Sequence, residues 1–132
     1  MRDETDPKRE KMTAGRQDLR VRTKAFALRV IKLFVALPRR TEAQILGGQI
    51  LRSGTSVGAY YREACRAKSD ADFISKIEGA LQELDETVYW AELIGEAGLF
   101  SDRRLRPLCD EAEELIAMFV TMVKNVKNRK KR

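Results

Sequence analysis

Seven apolar residues near one end of the chain, Leu105, Leu108, Ala112, Leu115, Phe119, Met122 and Val126, follow one another at alternating steps of three and four. Only an α-helix gathers such a series on one side, because a strand would scatter it over both faces. A helix with one apolar seam must bury it, so the rest of the chain has to supply partner helices. The 132 residues suffice for one domain with a real core, but not for a TIM barrel or a dinucleotide enzyme with a second domain. With 8 glycines and 3 prolines there are too few turn signals for a β-sandwich or barrel.

Three further helices can be read. Leu19, Arg22, Phe26, Val30, Leu33 and Leu37, widened by Ala27, Ile31 and Phe34, predict helix one over about 19–36, stopped by Pro38. Thr41 with Gln44 three residues later reads as a capping box, opening helix two, which runs to about Ala67. Ser69 caps helix three, with Asp70 and Asp72 in its first turn, and Phe73, Ile77, Ala80, Leu84, Val88 and Ala91 form its inner face, flanked by Ile74, Leu81 and Ile94. Gly98 before Leu99 reads as a left-handed C-cap, Ser101 caps helix four, and Pro107 falls early in it. The predicted architecture is all-α: an up-down-up-down antiparallel four-helix bundle over 19–126, with a flexible basic arm at 1–18 and a basic tail at 127–132.

Composition narrows the function. Histidine is absent, which removes the usual general base, metal ligand and pH switch. Glu78, Glu83, Asp85, Glu86 and Glu92 resemble a carboxylate-bundle metal set but lack the histidines it needs, and Cys65 and Cys109 show no zinc spacing. The cysteines read as structural thiols in a reducing compartment. Ser53, Thr55 and Ser56 have no base nearby, and helix-interior hydroxyls commonly bond to their own backbone. Neither a catalytic site, a metal nor a cofactor is expected. The first 24 residues are too charged for a signal peptide, and the apolar run Phe26–Leu37 is broken by Arg29 and Lys32, so a cytoplasmic chain without a membrane span is expected.

Charge is unevenly placed. Residues 1–40 hold 12 basic and 5 acidic residues, 41–100 hold 5 and 10, and 101–132 hold 9 and 5. Basic ends around an acidic middle suit a phosphate backbone or an acidic partner, and equally suit plain solubility. Lys124, Lys127, Arg129, Lys130, Lys131 and Arg132 extend helix four as a basic face, open to phosphate or simply solvated.

Helix two carries the most information. Gly47, Gly48, Gly54 and Gly58 each cost about 1 kcal/mol against alanine inside a helix, so packing must offset them. At 100° per residue, Leu46, Ile50, Ser53, Val57, Tyr60 and Ala64 form a core stripe. Beside it Gly47, Leu51, Gly54, Gly58, Tyr61 and Cys65 form a small-residue groove, for a helix of the same bundle or of another subunit. Gly54, Gly58 and Tyr61, with Trp90, are the candidate oligomer contacts; Tyr60, Tyr61, Tyr89 and Trp90 also suit a core edge. On a third side lie Arg52, Arg62 and Arg66, followed by Lys68. These either reach phosphates or, for Arg52 and Arg62 above all, pair with Glu63, Glu83 and Glu86.

The runs Ile50 to Ala59, Tyr61 to Ala64, Ser69, Asp72 to Ile77, Leu84 to Thr87, Tyr89-Trp90 and Glu96 to Leu99 resemble the signature of the bacterial four helix bundle proteins, also called the 23S rRNA intervening-sequence protein family. Tyr60 stands where that family usually has asparagine. The resemblance covers about residues 19–125 and implies a four-helix bundle assembled as a homopentameric barrel. It also implies kinship with the accessory variability protein of diversity-generating retroelements, a basic pentamer that binds a reverse transcriptase and nucleic acid. Two roles are therefore expected: a non-catalytic nucleic-acid-binding accessory protein with a reverse transcriptase as partner, or a structural, protein-interaction module with no nucleic-acid role.

Overall fold

The structure, a computed structural model, describes residues 7–130. It contains four helices in the order α1 Pro7–Ala36, α2 Thr41–Cys65, α3 Asp70–Glu96 and α4 Asp102–Lys130. Each turn between them is short, so consecutive helices run antiparallel. Helix α1 packs on α2, α2 on α3 and α3 on α4, whereas α4 barely returns to α1. The bundle is thus open along an α1–α4 seam.

The junctions are largely those the side chains dictate. Ser69 adopts extended geometry and its hydroxyl accepts from the Asp72 amide at 3.1 Å, and Ser101 accepts from the Arg104 amide at 3.2 Å. At the end of α3, Gly98 takes φ +72°, the Leu99 amide donates to Ile94 and the Gly98 amide to Gly95. This is the paired-bond left-handed stop, open to glycine without strain. The expected capping box at Thr41 is not formed. Arg40 is the N-cap and has no side-chain cap bond, while the Gln44 side chain donates to the Pro38 carbonyl at 3.2 Å. Arg40 is extended and the Gln44 side chain reaches back to Pro38, so the start is set without a threonine hydroxyl.

Helix α1 begins at Pro7 rather than near Leu19. The earlier segment has no apolar period to announce it, but lysine, arginine, glutamate and methionine are good helix formers and Pro7 suits a first helical position. Similarly, α4 continues through 127–130, so most of the expected tail is helical. Lys131 and Arg132 and the Lys130 side chain lie outside the described residues.

The core is continuous. Phe26 and Val30 of α1, Ile50, Val57 and Tyr61 of α2, Ile77, Leu84 and Ile94 of α3, and Leu115 and Phe119 of α4 are fully buried. Tyr61 stacks on Phe119 with centroids 5.7 Å apart. In α4 the buried series passes from Phe119 to Val123, leaving Met122 only half-buried. Val126 is buried again one turn on, so the inner line departs from the expected series at this one position and then rejoins it. Ile31, expected to widen the core of α1, is instead exposed.

Candidate nucleic-acid interface

The glycine groove of α2 is occupied within the subunit. A Cβ on Gly54 would stand 2.6 Å from Val30 Cγ2, one on Gly47 would meet Leu37 at 2.7 Å, and one on Gly58 would meet the Thr23 hydroxyl at 3.2 Å. Helix α1 therefore lies in that groove. This corrects Gly54, Gly58 and Tyr61 as oligomer contacts, since α1 covers both glycines and Tyr61 is wholly inside the bundle. Tyr60 lies across Gly79 of α3, where a Cβ would be 2.6 Å from its ring. Trp90 is half-buried, its ring edge-on to the exposed Tyr89 at 5.1 Å, and its buried indole N–H finds no acceptor among the described residues.

The family signature on α2 acts as a buried clasp to α3. The Thr87 hydroxyl lies 2.8 Å from the Ser53 hydroxyl and 2.8 Å from the Glu83 carbonyl, which it reaches by donating. Thr55 donates to the Leu51 carbonyl at 2.7 Å and Ser56 to the Arg52 carbonyl at 2.6 Å, so these hydroxyls are spent on their own helix. Arg52 bridges Glu83 at 3.2 Å and Glu86 at 2.7 Å. The charge of Glu83, foremost, then loss of hydration and the remaining bonds act on its guanidinium, and the net effect raises its pKa further. Arg52 is accordingly a tie between α2 and α3, as one of its two readings had it, and not a free phosphate contact.

The remaining cations of the expected interface gather at one end. Arg62 stands on the last turn of α2 with Arg66 and Lys68 just beyond it, and Lys124, Lys127 and Arg129 stand on the last turns of α4, all exposed. Lys127 reaches Glu78 at 3.9 Å and Arg129 reaches Asp70 at 3.4 Å, contacts of little energetic weight in water. Glu63 pairs with Lys76 rather than with Arg62, at 3.4 Å. Lys68 and Arg129 both border a cavity of about 630 Å³ at this lower end of the α1–α4 seam, walled by Leu19, Phe73 and Met122 among others. The seam's middle is bridged by Arg22, whose Nη2 and Nε donate to Glu111 at 2.6 and 3.1 Å. Bonding to Glu111 outweighs desolvation and raises the Arg22 pKa.

Two features escaped the sequence reading. One is an exposed apolar line on α1, Val21, Leu28 and Val35, which are 66%, 50% and 75% exposed, with Ile31 beside it. Its seven-residue spacing was legible, but helix one has apolar residues on both sides, and the inner set alone fits a core. The other is a set of cations at the upper end of the seam, Arg29, Lys32 and Arg104. Among the described residues no group of acidic or cysteine side chains could hold a metal, and no helix is long and apolar enough to cross a membrane.

The bundle has a counterpart among known proteins. The family model described as 23S rRNA-intervening sequence protein matches residues 17–121. The chain belongs to that family. A solved structure of a protein of unknown function from the S23 ribosomal protein family of Bacteroides thetaiotaomicron is 34% identical, with a TM-score of 0.76. The match covers 80% of this chain and 98% of that one. No curated protein matches the chain. As an intervening-sequence protein, it is a small helical bundle in which Arg52, Ser53 and Thr87 of the signature region are structural.

Proposed function

We propose that this intervening-sequence protein is a non-catalytic, homo-oligomeric accessory protein that binds nucleic acid through the phosphate backbone. The observation carrying this reading is the segregation of charge. In the acidic middle, Arg52 is neutralised by Glu83 and Glu86, whereas Arg62, Arg66, Lys68 and Lys124 at the lower end make no carboxylate pair among the described residues. Such an end binds phosphates without reading bases.

Assembly is supported by the exposed line Val21, Leu28 and Val35, an apolar face that the rest of the subunit leaves in contact with water. The pentamer and the reverse transcriptase partner rest on the family resemblance. Five copies, each with formal charge +6, would concentrate about +30 on one particle. The same apolar line also favours the second reading, a protein-interaction module without nucleic acid.

Fluorescence anisotropy with labelled single-stranded RNA and duplex DNA, over a salt series, separates the two. The first reading expects binding at about 50 mM salt that weakens steeply as salt rises. Absence of binding to either at that salt rejects it.

A further inference from the structure

Some of the described cations are paired and many are not, and three of the unpaired ones share a site. Arg22, Arg40, Arg52, Lys76, Lys127 and Arg129 each lie within 4.0 Å of a carboxylate oxygen. Arg29, Lys32 and Arg104 pair with no carboxylate among the described residues, yet these three line one cavity of about 190 Å³ at the upper end of the α1–α4 seam. Leu33, Phe100, Leu105 and Leu108 complete its lining, and no acidic residue takes part. The Arg104 guanidinium stands 4.2 Å from the centre of the Phe100 ring, which helps hold it at the rim.

Three like charges around one recess repel one another, and a bound anion relieves that repulsion. Apolar walls strengthen the attraction by lowering the local dielectric. The cavity is smaller than the roughly 300–1,000 Å³ of pockets that enclose whole organic ligands, so it suits a phosphate with its adjoining carbons rather than a complete nucleotide. Guanidinium forks match phosphate oxygens in pairs, and lysine adds a point charge.

We propose that this cavity seats one phosphodiester of a single-stranded nucleic acid, held by Arg29, Lys32 and Arg104 with the adjoining sugar against Phe100 and the leucines. The proposal rests on the nucleic-acid reading above but uses none of its lower-end residues. A single strand can turn its sugar into a recess beside an aromatic ring, whereas a duplex holds its backbone on a fixed convex surface.

The test is anisotropy of a labelled oligouridylate with the full chain and with the triple variant R29A/K32A/R104A, whose three sites are exposed and whose fold is checked by circular dichroism. One shared phosphate predicts that the triple variant binds several-fold more weakly at 50 mM salt and that the log–log salt slope falls by about 0.7. Three separate contacts would lower the slope by about 2 and overturn the shared site. Unchanged affinity and slope in the variant, with the parent binding, overturn this inference alone. A parent that binds no oligouridylate overturns this inference, and one that also binds no duplex overturns the proposed function with it.

Discussion

Replacing Gly54 by alanine tests how closely α1 is seated in α2. The added Cβ would lie 2.6 Å from Val30 Cγ2, 2.9 Å from Cγ1 and 3.1 Å from Cβ, where carbon atoms rest comfortably at about 3.5–4.0 Å. Val30 is fully buried and β-branched, with one strongly favoured helical rotamer, so it cannot swing aside and the two helices must part. Overpacking of this kind costs about 1–3 kcal/mol, and the stiffness of Val30 argues for the upper end. Alanine returns about 1 kcal/mol of helix propensity, leaving a net loss of about 2 kcal/mol. For a chain this size that lowers Tm by about 8 °C. Gly48, one turn and a half earlier on the same helix, has nothing within 4 Å of its Cβ position, so the same substitution there should raise Tm by about 4 °C. Melting is compared at one protein concentration, because any assembly would shift Tm by mass action. Val30→Ala in the Gly54→Ala background should recover part of the loss through a favourable coupling. If Gly54→Ala melts at or above the parent while Gly48→Ala behaves as stated, α1 is not packed this tightly and the groove argument fails.

Arg22→Ala strands Glu111, whose side chain is only 16% exposed, and should cost about 1–2 kcal/mol while amide exchange accelerates in α1 more than in α2; equal exchange in both helices would mean the seam does not depend on this pair. The Cys109 thiol is pushed up by burial first and by the nearby Glu92 carboxylate next, so alkylation near pH 8 should be slower in the folded chain than in denaturant. Because the unfolded thiol then ionises first as pH rises, Cys109 contributes stability below the ordinary thiol range that is lost above it, and a thermal melt series across that range reads the sign. Leu28→Glu combined with Val35→Glu should reduce the particle to a 15.1 kDa monomer by ultracentrifugation, and retention of the assembly would remove the α1 line as its interface. Deleting residues 127–132 should leave Tm nearly unchanged, since Val126 is the last buried side chain of α4, yet lower the salt slope of nucleic-acid binding by about 0.7–0.9 per phosphate lost; an unchanged slope would make this segment a solubility feature.

Much of the fold was legible because local chemistry and global packing agree. The inner face of α3, the stops at Gly98 and the caps at Ser69 and Ser101 are single-residue signals with one physical meaning each. The failures have equally specific causes. Thr41 offered a cap that the Pro38 turn made unnecessary, and the start of α1 rests on propensity without periodicity. Spacing told that α2 admits a close neighbour, but only three-dimensional packing says that the neighbour is Val30 of the same chain. The upper cavity was out of reach altogether. Arg29 and Arg104 are separated by most of the bundle in sequence, and nothing local to either announces that a second cation and an aromatic ring will join them.

The two ends and the outer line of α1 belong to one electrostatic problem. Arg29 and Lys32 sit on α1 between Leu28 and Val35, so any assembly made through that apolar line brings the upper cavities of neighbouring copies near a common rim. The middle of each subunit adds little to the repulsion, because Arg22 and Arg52 are held by Glu111, Glu83 and Glu86. The ends add most of it, since their cations lack buried counter-charges. Burial of Val21, Leu28 and Val35 favours association at roughly 25 cal/mol per Å² of apolar surface, and accumulated positive charge opposes it. An anion bound at the ends lowers the opposing contribution without touching the favourable one. If the chain assembles and binds nucleic acid as proposed, the two would be reciprocal, each strengthening the other by the same coupling free energy. Under the proposed function that reciprocity would rest on the end cations without a carboxylate partner among the described residues, Arg29, Lys32 and Arg104 above and Arg62, Arg66 and Lys68 below, because unpaired charge responds most to a polyanion.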